Sequence, residues 1–375
     1  MHHVIIFATT YFPLVGGAEV ALKEVTDRLP DWSFDLVCAK IQPGLATSEK
    51  IGNVTVHRVG FGKPYDKFLL PFLGVWRALR LGKADGIWSL MASYGGFTAL
   101  VYTWFKPRTK FLLTLQEGDP LEHYAKRAGK LEFLHQRVFR RADAVQAISR
   151  FLGEWATRMG FKGTPQIVPN GVDIVNFTRP ITPEKRAELR RGFGFAPDDI
   201  ILVTASRLSL KNGVDDLIRS LLFLPPQYKA LIAGSGEDGD KLRVLTQQKG
   251  LSERVKFLGQ RGHAELPEIL HSGDIFVRAS LSEGLGNSFL EAMAVGLPII
   301  GTPVGGIPDF LTDGETGVMC QPRDPESIAR AALRIVNESS LRAKLVEKGA
   351  ALVKEKYGWE GIAKNIGSIL QNLMR

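Results

Sequence analysis

At 375 residues with 45% hydrophobic content, the chain is long enough to bury two cores and belongs to the globular class. Its two cysteines, Cys38 and Cys320, are too few and too far apart for a disulfide framework or a cysteine-based metal site, which points to a reducing compartment. The net charge is +9, with 22 Lys and Arg against 15 Asp and Glu in residues 1–175 (+7) and +2 over the rest; no nucleic-acid recognition motif accompanies it.

The N-terminal MHHVIIFATT lacks a basic leader region and a cleavage signature, so it reads as a first strand of a cytoplasmic protein. The apolar runs VIIFA, FDLVCA, VTVHRV, GIWSL, FLLTL, AVQAI and QIVP precede residue 170, with helical patterns between several of them. The segment Gly86 to Phe105 has no charged residue over twenty positions, close to a membrane span. Ser93, Tyr94, Gly95 and Gly96 interrupt it, which favours a strand, a tight loop and a buried helix.

Prolines and the charged run PEKRAELRR follow Pro169, reading as a linker with a short surface helix. The alternation restarts with IILVTAS, ALIAG, VKFLG, DIFVRAS, PIIGT and GVMC. This predicts an α/β protein of two doubly wound, Rossmann-like domains facing a cleft, with one ligand on each side. The expected domains are 1–176 and 177–357, with a C-terminal helix at 358–375 packing back onto the first.

DIFVRAS leads into EGLGNSFLE, residues 283 to 291, which reads as a glycine-rich turn opening a helix capped by Asn287 or Ser288. The unpaired N–H groups of such a helix attract anions, and Gly284 and Gly286 let a phosphate approach the backbone. Glu283 and Glu291 would repel phosphate, so as acceptors they suit hydroxyl groups flanking a diphosphate. The alternative is an ordinary helix-terminal charge and a surface glutamate.

With YFPLVGGAE, VPNGVD, SRLSLKNG, GSGEDGDKL, KFLGQ, EGLGNSFLEAMAVGLPII and GTPVGGIPDFLTDGETG in this order, the chain resembles a retaining glycosyltransferase of the GT-B fold, family 4 (group 1) type. The resemblance covers nearly the whole length and implies a hexosyltransferase. It implies that Arg207 and Lys211 face the diphosphate, which gains charge as the glycosidic bond breaks, and that amides of Gly286, Asn287 and Ser288 hold other phosphate oxygens. Glu283 matches the glutamate that contacts the transferred sugar, and Glu291 the one that binds ribose. Gln260 and the backbone at Arg261 are placed to read the base, and Gly16 and Gly17 match a Gly-Gly loop of the first domain that joins the donor-binding candidates.

One departure stands in the first domain: where relatives commonly carry a histidine after the strand matching FLLTL, this chain has Gln116. Gln can hydrogen-bond a sugar hydroxyl but cannot shuttle a proton. Glu117, Asp119 or His123 are the candidates to supply the histidine's role, or they form an acidic loop that caps a helix. No metal is expected, because Arg207 and Lys211 can balance the diphosphate; Asp238 and Asp240 read as cap residues of an exposed turn.

The implied donor is GDP-mannose or a UDP-sugar, and the implied acceptor a glycan or lipid-linked molecule. The alternatives are a nucleotide-sugar-binding protein of the same fold without transferase activity, or an epimerase. A dehydrogenase is disfavoured, since ATTYFPLVGGAE lacks the Gly-x-Gly-x-x-Gly spacing. Segments 68–83 and 123–142 interleave apolar residues with Lys and Arg, as in helices lying on anionic membranes or core-packed helices with a solvated basic face.

Overall fold

The structure, a computed structural model, describes residues 2–121, 129 and 132–375. Two compact units divide the chain: residues 1–171 with 359–375, and residues 172–358. The first crossing falls at 171/172 rather than 176/177, because Val172 already belongs to the second unit. Its N–H donates to the Tyr357 carbonyl at 2.7 Å and it bridges to Gly358.

In the first unit the strands are β1 His2–Phe7, β2 Trp32–Ala39, β3 Ser48–Ile51, β4 Val54–Val59, β5 Gly86–Leu90, β6 Lys110–Leu115, β7 Ala144–Ala147 and β8 Gln166–Ile167. They form one sheet in the order β3-β4-β2-β1-β5-β6-β7-β8, parallel except where β3 runs against β4. The described helices are α1 Gly17–Asp27, α2 Asp66–Leu79, α3 Tyr94–Phe105, α4 Glu132–Arg141 and α5 Arg150–Arg158. The central runs Val4–Phe7 and Phe111–Leu113 are fully buried, as strands covered on both faces require.

Residues 86–105 are β5, a short turn and α3, and no described helix is long and apolar enough to cross a membrane. Gly95 is needed in the first turn of α3, since a Cβ there would sit 2.6 Å from the Phe7 carbonyl oxygen. The C-terminal helix Trp359–Leu373 packs on α1, inserting Trp359, Ile362, Ile366, Ile369 and Leu370 into the first unit's core.

The second unit carries β9 Ile200–Ala205, β10 Tyr228–Ala233, β11 Val255–Gly259, β12 Ile275–Arg278, β13 Ile299–Gly301 and β14 Val318–Met319. Its sheet is wholly parallel, in the order β11-β10-β9-β12-β13-β14. The helices are α6 Ile174–Phe177, α7 Pro183–Gly192, α8 Val214–Ser220, α9 Gly239–Gln248, α10 Leu266–Ser272, α11 Asn287–Val295, α12 Pro325–Asn337 and α13 Ser339–Lys356.

The expected surface helix in PEKRAELRR is α7, capped by Thr182, but it is anchored rather than merely solvated. Arg190 is buried, and Arg186 and Arg190 reach the Asp274 carboxylate at 2.7 and 3.3 Å. In both sheets the first strand lies beside the one that starts the other half, so crossovers leave in opposite directions at β1/β5 and at β9/β12. Crevices at the carboxyl ends of such strands are where open α/β sheets bind ligands.

Candidate functional site

In the second unit, β9 and β12 pair in register, Leu202 with Ile275 and Val203 with Phe276, so the loops that follow them emerge together. Arg207 lies just past β9 with its side chain exposed. Lys211 sits half-buried in a 3-10 turn, Leu210–Asn212, that stands just ahead of α8. Between the two, Gly213 takes φ +63°, with no room for a side chain: a Cβ would lie 1.8 Å from the Ala279 carbonyl oxygen. This presses the Arg207–Lys211 loop against the end of β12, where the Leu281 N–H donates to the Lys211 carbonyl at 2.6 Å.

After β12 the glycine-rich turn delivers α11 with Gly286, not Asn287 or Ser288, at its cap. Gly286 has φ +98°, and a Cβ there would meet the Phe289 ring at 2.7 Å, so the turn admits no capping side chain. Asn287 opens the helix, and the Ser288 hydroxyl instead accepts from Arg278 Nη1 at 2.9 Å. The three amides of residues 286–288 thus stand at the N-terminus of a nine-residue helix.

Both glutamates have cationic or protonatable partners. Glu283 Oε2 lies 2.6 Å from Arg278 Nη2, and both side chains are nearly buried. Glu291 Oε1 accepts from His263 Nε2 at 3.0 Å, which brings the loop after β11 to the ribose-side candidate. Gln260 and Arg261 stand on that same loop, exposed: Gln260 Oε1 accepts weakly from Ser235, and Arg261 donates to Glu265 at 3.1 Å. Arg278 and His263 were not legible as functional residues, because the partners that give them meaning lie in separate segments, Asn212 66 positions before Arg278 and Glu291 28 positions after His263.

Asp238 stands at the cap of α9 but makes no side-chain cap bond. It accepts instead from Lys241 at 2.7 Å and from the Leu210 N–H at 2.8 Å, and the Lys241 hydrogen bond holds its carboxyl below the usual range. Asp240 lies in the first turn of α9. Among the described residues no group of three or more His, Cys, Asp or Glu is placed to hold a metal ion.

In the first unit, Gly16 caps α1 and Gly17 begins it, and the Gly16 N–H is already taken by Glu19 Oε2 at 2.7 Å. Gln116 follows β6, and its amide oxygen accepts from Asn170 Nδ2 at 2.9 Å, so what its side chain offers a sugar is donation from Nε2. Glu117 does not point to solvent as an acid supplying the histidine's role would. It is 1% exposed and grips the backbone, accepting from the Ala92 N–H at 2.7 Å and from the Gln116 N–H at 2.9 Å. Asp119 is half-buried in the same loop, and His123 lies outside the described residues.

Burial pushes the Glu117 carboxyl up to about 7, against the lowering effect of the backbone N–H groups of Ala92, Glu117 and Gln116. Burial also pushes the His135 imidazole down, and His135 bonds the backbone of the same Ala92. The loop between β5 and α3, where Met91 takes φ +66°, is thus held by two buried titratable groups.

Model sequences of two protein families match the chain: a glycosyl transferase 4-like domain over residues 16–171, and glycosyl transferases group 1 over residues 185–352. The lipopolysaccharide core biosynthesis glycosyltransferase LpsE of Rhizobium meliloti is 31% identical over 272 residues, 68% of this chain and 76% of the relative. A GDP-mannose-dependent phosphatidylinositol monomannoside mannosyltransferase of Corynebacterium glutamicum is 29% identical over 63% of this chain. The match spans 64% of that enzyme's length, and 55% of a further relative, an archaeal glycosyltransferase.

In three dimensions, Anabaena HepE solved with UDP and glucose superposes with a TM-score of 0.83 at 20% identity, covering 99% of this chain and 100% of HepE. The chain belongs to the group 1 glycosyltransferases and has the GT-B fold.

The Glu117 geometry predicts a pH dependence. Its folded value, about 7, lies above the ordinary 4.5, so between these limits the folded chain holds a proton that the unfolded chain has released. Stability from this group is therefore full below pH 4.5 and declines as pH rises through 7, by about 3 kcal/mol in all. Urea unfolding of wild type and Glu117→Gln across pH 5 to 8 should show the stability gap narrowing or reversing as pH rises; parallel curves would contradict the assignment.

Proposed function

We propose that the chain is a retaining hexosyltransferase that moves a sugar from a nucleoside-diphosphate donor, GDP-mannose or a UDP-sugar, to a glycan or lipid-linked acceptor. The observation that carries this is the meeting of the Arg207–Lys211 loop, Glu283 and the amides of 286–288 at the β9/β12 switch point, with Glu291 a few residues further along α11. Arg207 and Lys211 stabilise charge that develops on the leaving diphosphate, an effect larger in the transition state than in the ground state. The helix amides complete the phosphate site, Glu283 accepts from the sugar hydroxyls and Glu291 from the ribose. His263 next to Glu291, with Gln260 on the same loop, favours the base at that end. The mannosyltransferase relative and the UDP complex of HepE support the two donor classes.

With two cations assigned to the diphosphate, donor binding does not require a divalent ion. Calorimetric titration of GDP, UDP and their sugars in EDTA tests both points. One nucleotide class should bind, and Glu291→Ala should weaken it by about 1.5 to 3 kcal/mol, the worth of hydrogen bonds to a charged group. Unchanged affinity in the variant would remove Glu291 from the site, and binding only after magnesium or manganese is added would return Asp238 and Asp240 to consideration.

A lipid-linked acceptor is favoured by α2. The helix buries Leu70, Gly74, Val75 and Ala78, yet leaves Phe68, Phe72 and Trp76 between 56% and 71% exposed, with Phe61 and Tyr65 continuing the stripe. Lys67 lies over the Phe68 ring and Arg80 stacks on Trp76, with Lys63 and Lys83 in the same stretch, while Arg77 turns inward to donate to His57. The one acid of that stretch, Asp66, is buried and accepts from the amides of Phe61, Gly62 and Lys63. An exposed aromatic face rimmed by cations with no exposed acid suits the surface of an anionic bilayer.

Sedimentation with phosphatidylcholine vesicles, with and without phosphatidylglycerol, should carry the protein down only with the anionic lipid. Phe68→Ser/Phe72→Ser/Trp76→Ser should abolish this without lowering the melting temperature. Equal pelleting of the triple variant would contradict a role for α2.

A further inference from the structure

Arg278 ends β12, and its guanidinium reaches three separate chain segments at once. Nη2 lies 2.6 Å from Glu283 Oε2 and donates to Asn212 Oδ1 at 2.7 Å, and Nη1 donates to Ser288 Oγ at 2.9 Å. Asn212 passes the link on, its Nδ2 donating to the Arg207 carbonyl at 2.5 Å and to Ser209 Oγ at 3.3 Å. One planar side chain thus joins the cation-bearing loop, the sugar-side glutamate and the first turn of the phosphate-facing helix. A guanidinium spreads its donors over separate nitrogens in a rigid planar fork, whereas an ammonium carries its three on one freely rotating nitrogen.

The Arg278–Glu283 contact is an ion pair without hydrogen-bond alignment: Glu283 Oε2 and Arg278 Nε are both buried and have no hydrogen-bond partner. A carboxylate and a guanidinium taken out of water and left short of partners are costly. Oε2 is turned inward against Arg278, so a hydroxyl that donates to Glu283 meets its other oxygen, Oε1, on a carboxylate that Arg278 holds in place while keeping its bonds to Asn212 and Ser288.

We propose that Arg278 is a positioning residue that makes the donor site discriminate a nucleotide sugar from the bare nucleotide. It supplies the counter-charge that keeps Glu283 in the site and fixes that carboxylate relative to the Arg207–Lys211 loop and to α11. This rests on the reading of Glu283 as the sugar contact. The sugar hydroxyls meet a carboxylate already held in place, and the nucleoside diphosphate, bound by the cations, amides and Glu291, gains little from it.

The test compares Kd for the nucleoside diphosphate and for its sugar conjugate, measured by calorimetry for wild type, Arg278→Met, Arg278→Lys, Glu283→Gln and the double variant Arg278→Met/Glu283→Gln. Arg278→Met should weaken the nucleotide sugar about tenfold or more while changing the bare nucleotide by less than about threefold. Arg278→Lys should recover part of the loss through its charge. The double variant should match Glu283→Gln alone, since Arg278 acts on the sugar through that carboxylate.

The double variant also lacks the stranded buried charge, so it carries the comparison if Arg278→Met does not fold. Equal weakening of both ligands by Arg278→Met would make Arg278 a general structural residue, and undiminished preference for the sugar conjugate would overturn the inference outright. Wild type that binds neither ligand would overturn the donor-site reading, and the inference with it.

Discussion

The pairing of β9 with β12 decides where chemistry can occur in the second unit. Parallel strands that send their crossovers in opposite directions leave their carboxyl ends uncovered, and every proposed donor contact in this unit hangs from those ends or from the loop after β11, which His263 brings to Glu291. Closeness is enforced by backbone rather than side chains. Gly213 abuts Ala279, and Gly305, past β13, takes φ +56° where a Cβ would lie 1.9 Å from the Glu283 carbonyl oxygen. The Gly306 N–H donates to that same oxygen at 3.1 Å, so three loops are pressed into one layer.

Charge is then arranged within that layer. A diphosphate site cannot tolerate unbalanced carboxylates, yet hydroxyl recognition needs them. Glu283 is set against Arg278 and Glu291 against His263, in the same layer as the loop that carries Arg207 and Lys211. In the first unit the logic differs: Glu117 and His135 are spent on the backbone of Ala92, fixing the loop beside Gln116 rather than meeting a ligand. Gln116 itself is oriented by Asn170, within the VPNGVD segment.

Much of this was legible in the sequence, for definite reasons. Strands buried on both faces are continuous apolar runs, so β1, β5, β9 and β12 stand out, and the glycines of the 283–291 turn are where a chain needs room. The strand β3, Ser48–Ile51, was missed because it is short, polar and exposed on a sheet edge. The cap of α11 was misplaced because side-chain caps are the commoner signal, and a positive φ at Gly286 shows only in three dimensions. Arg278 reads in FVRAS as a charge interrupting a strand, and its meaning depends on Asn212, 66 residues earlier. The burial of Glu117, which turns an apparent loop acid into a backbone clamp, has no sequence signature at all.

The central claim, that the β9/β12 switch point of the second unit holds the nucleotide sugar, is tested most directly by amide hydrogen exchange with and without a saturating donor. Protection should concentrate in residues 207–213 and 283–291, with a smaller effect at 260–263. Protection confined to the first unit, or none in either of those two loops, would contradict it.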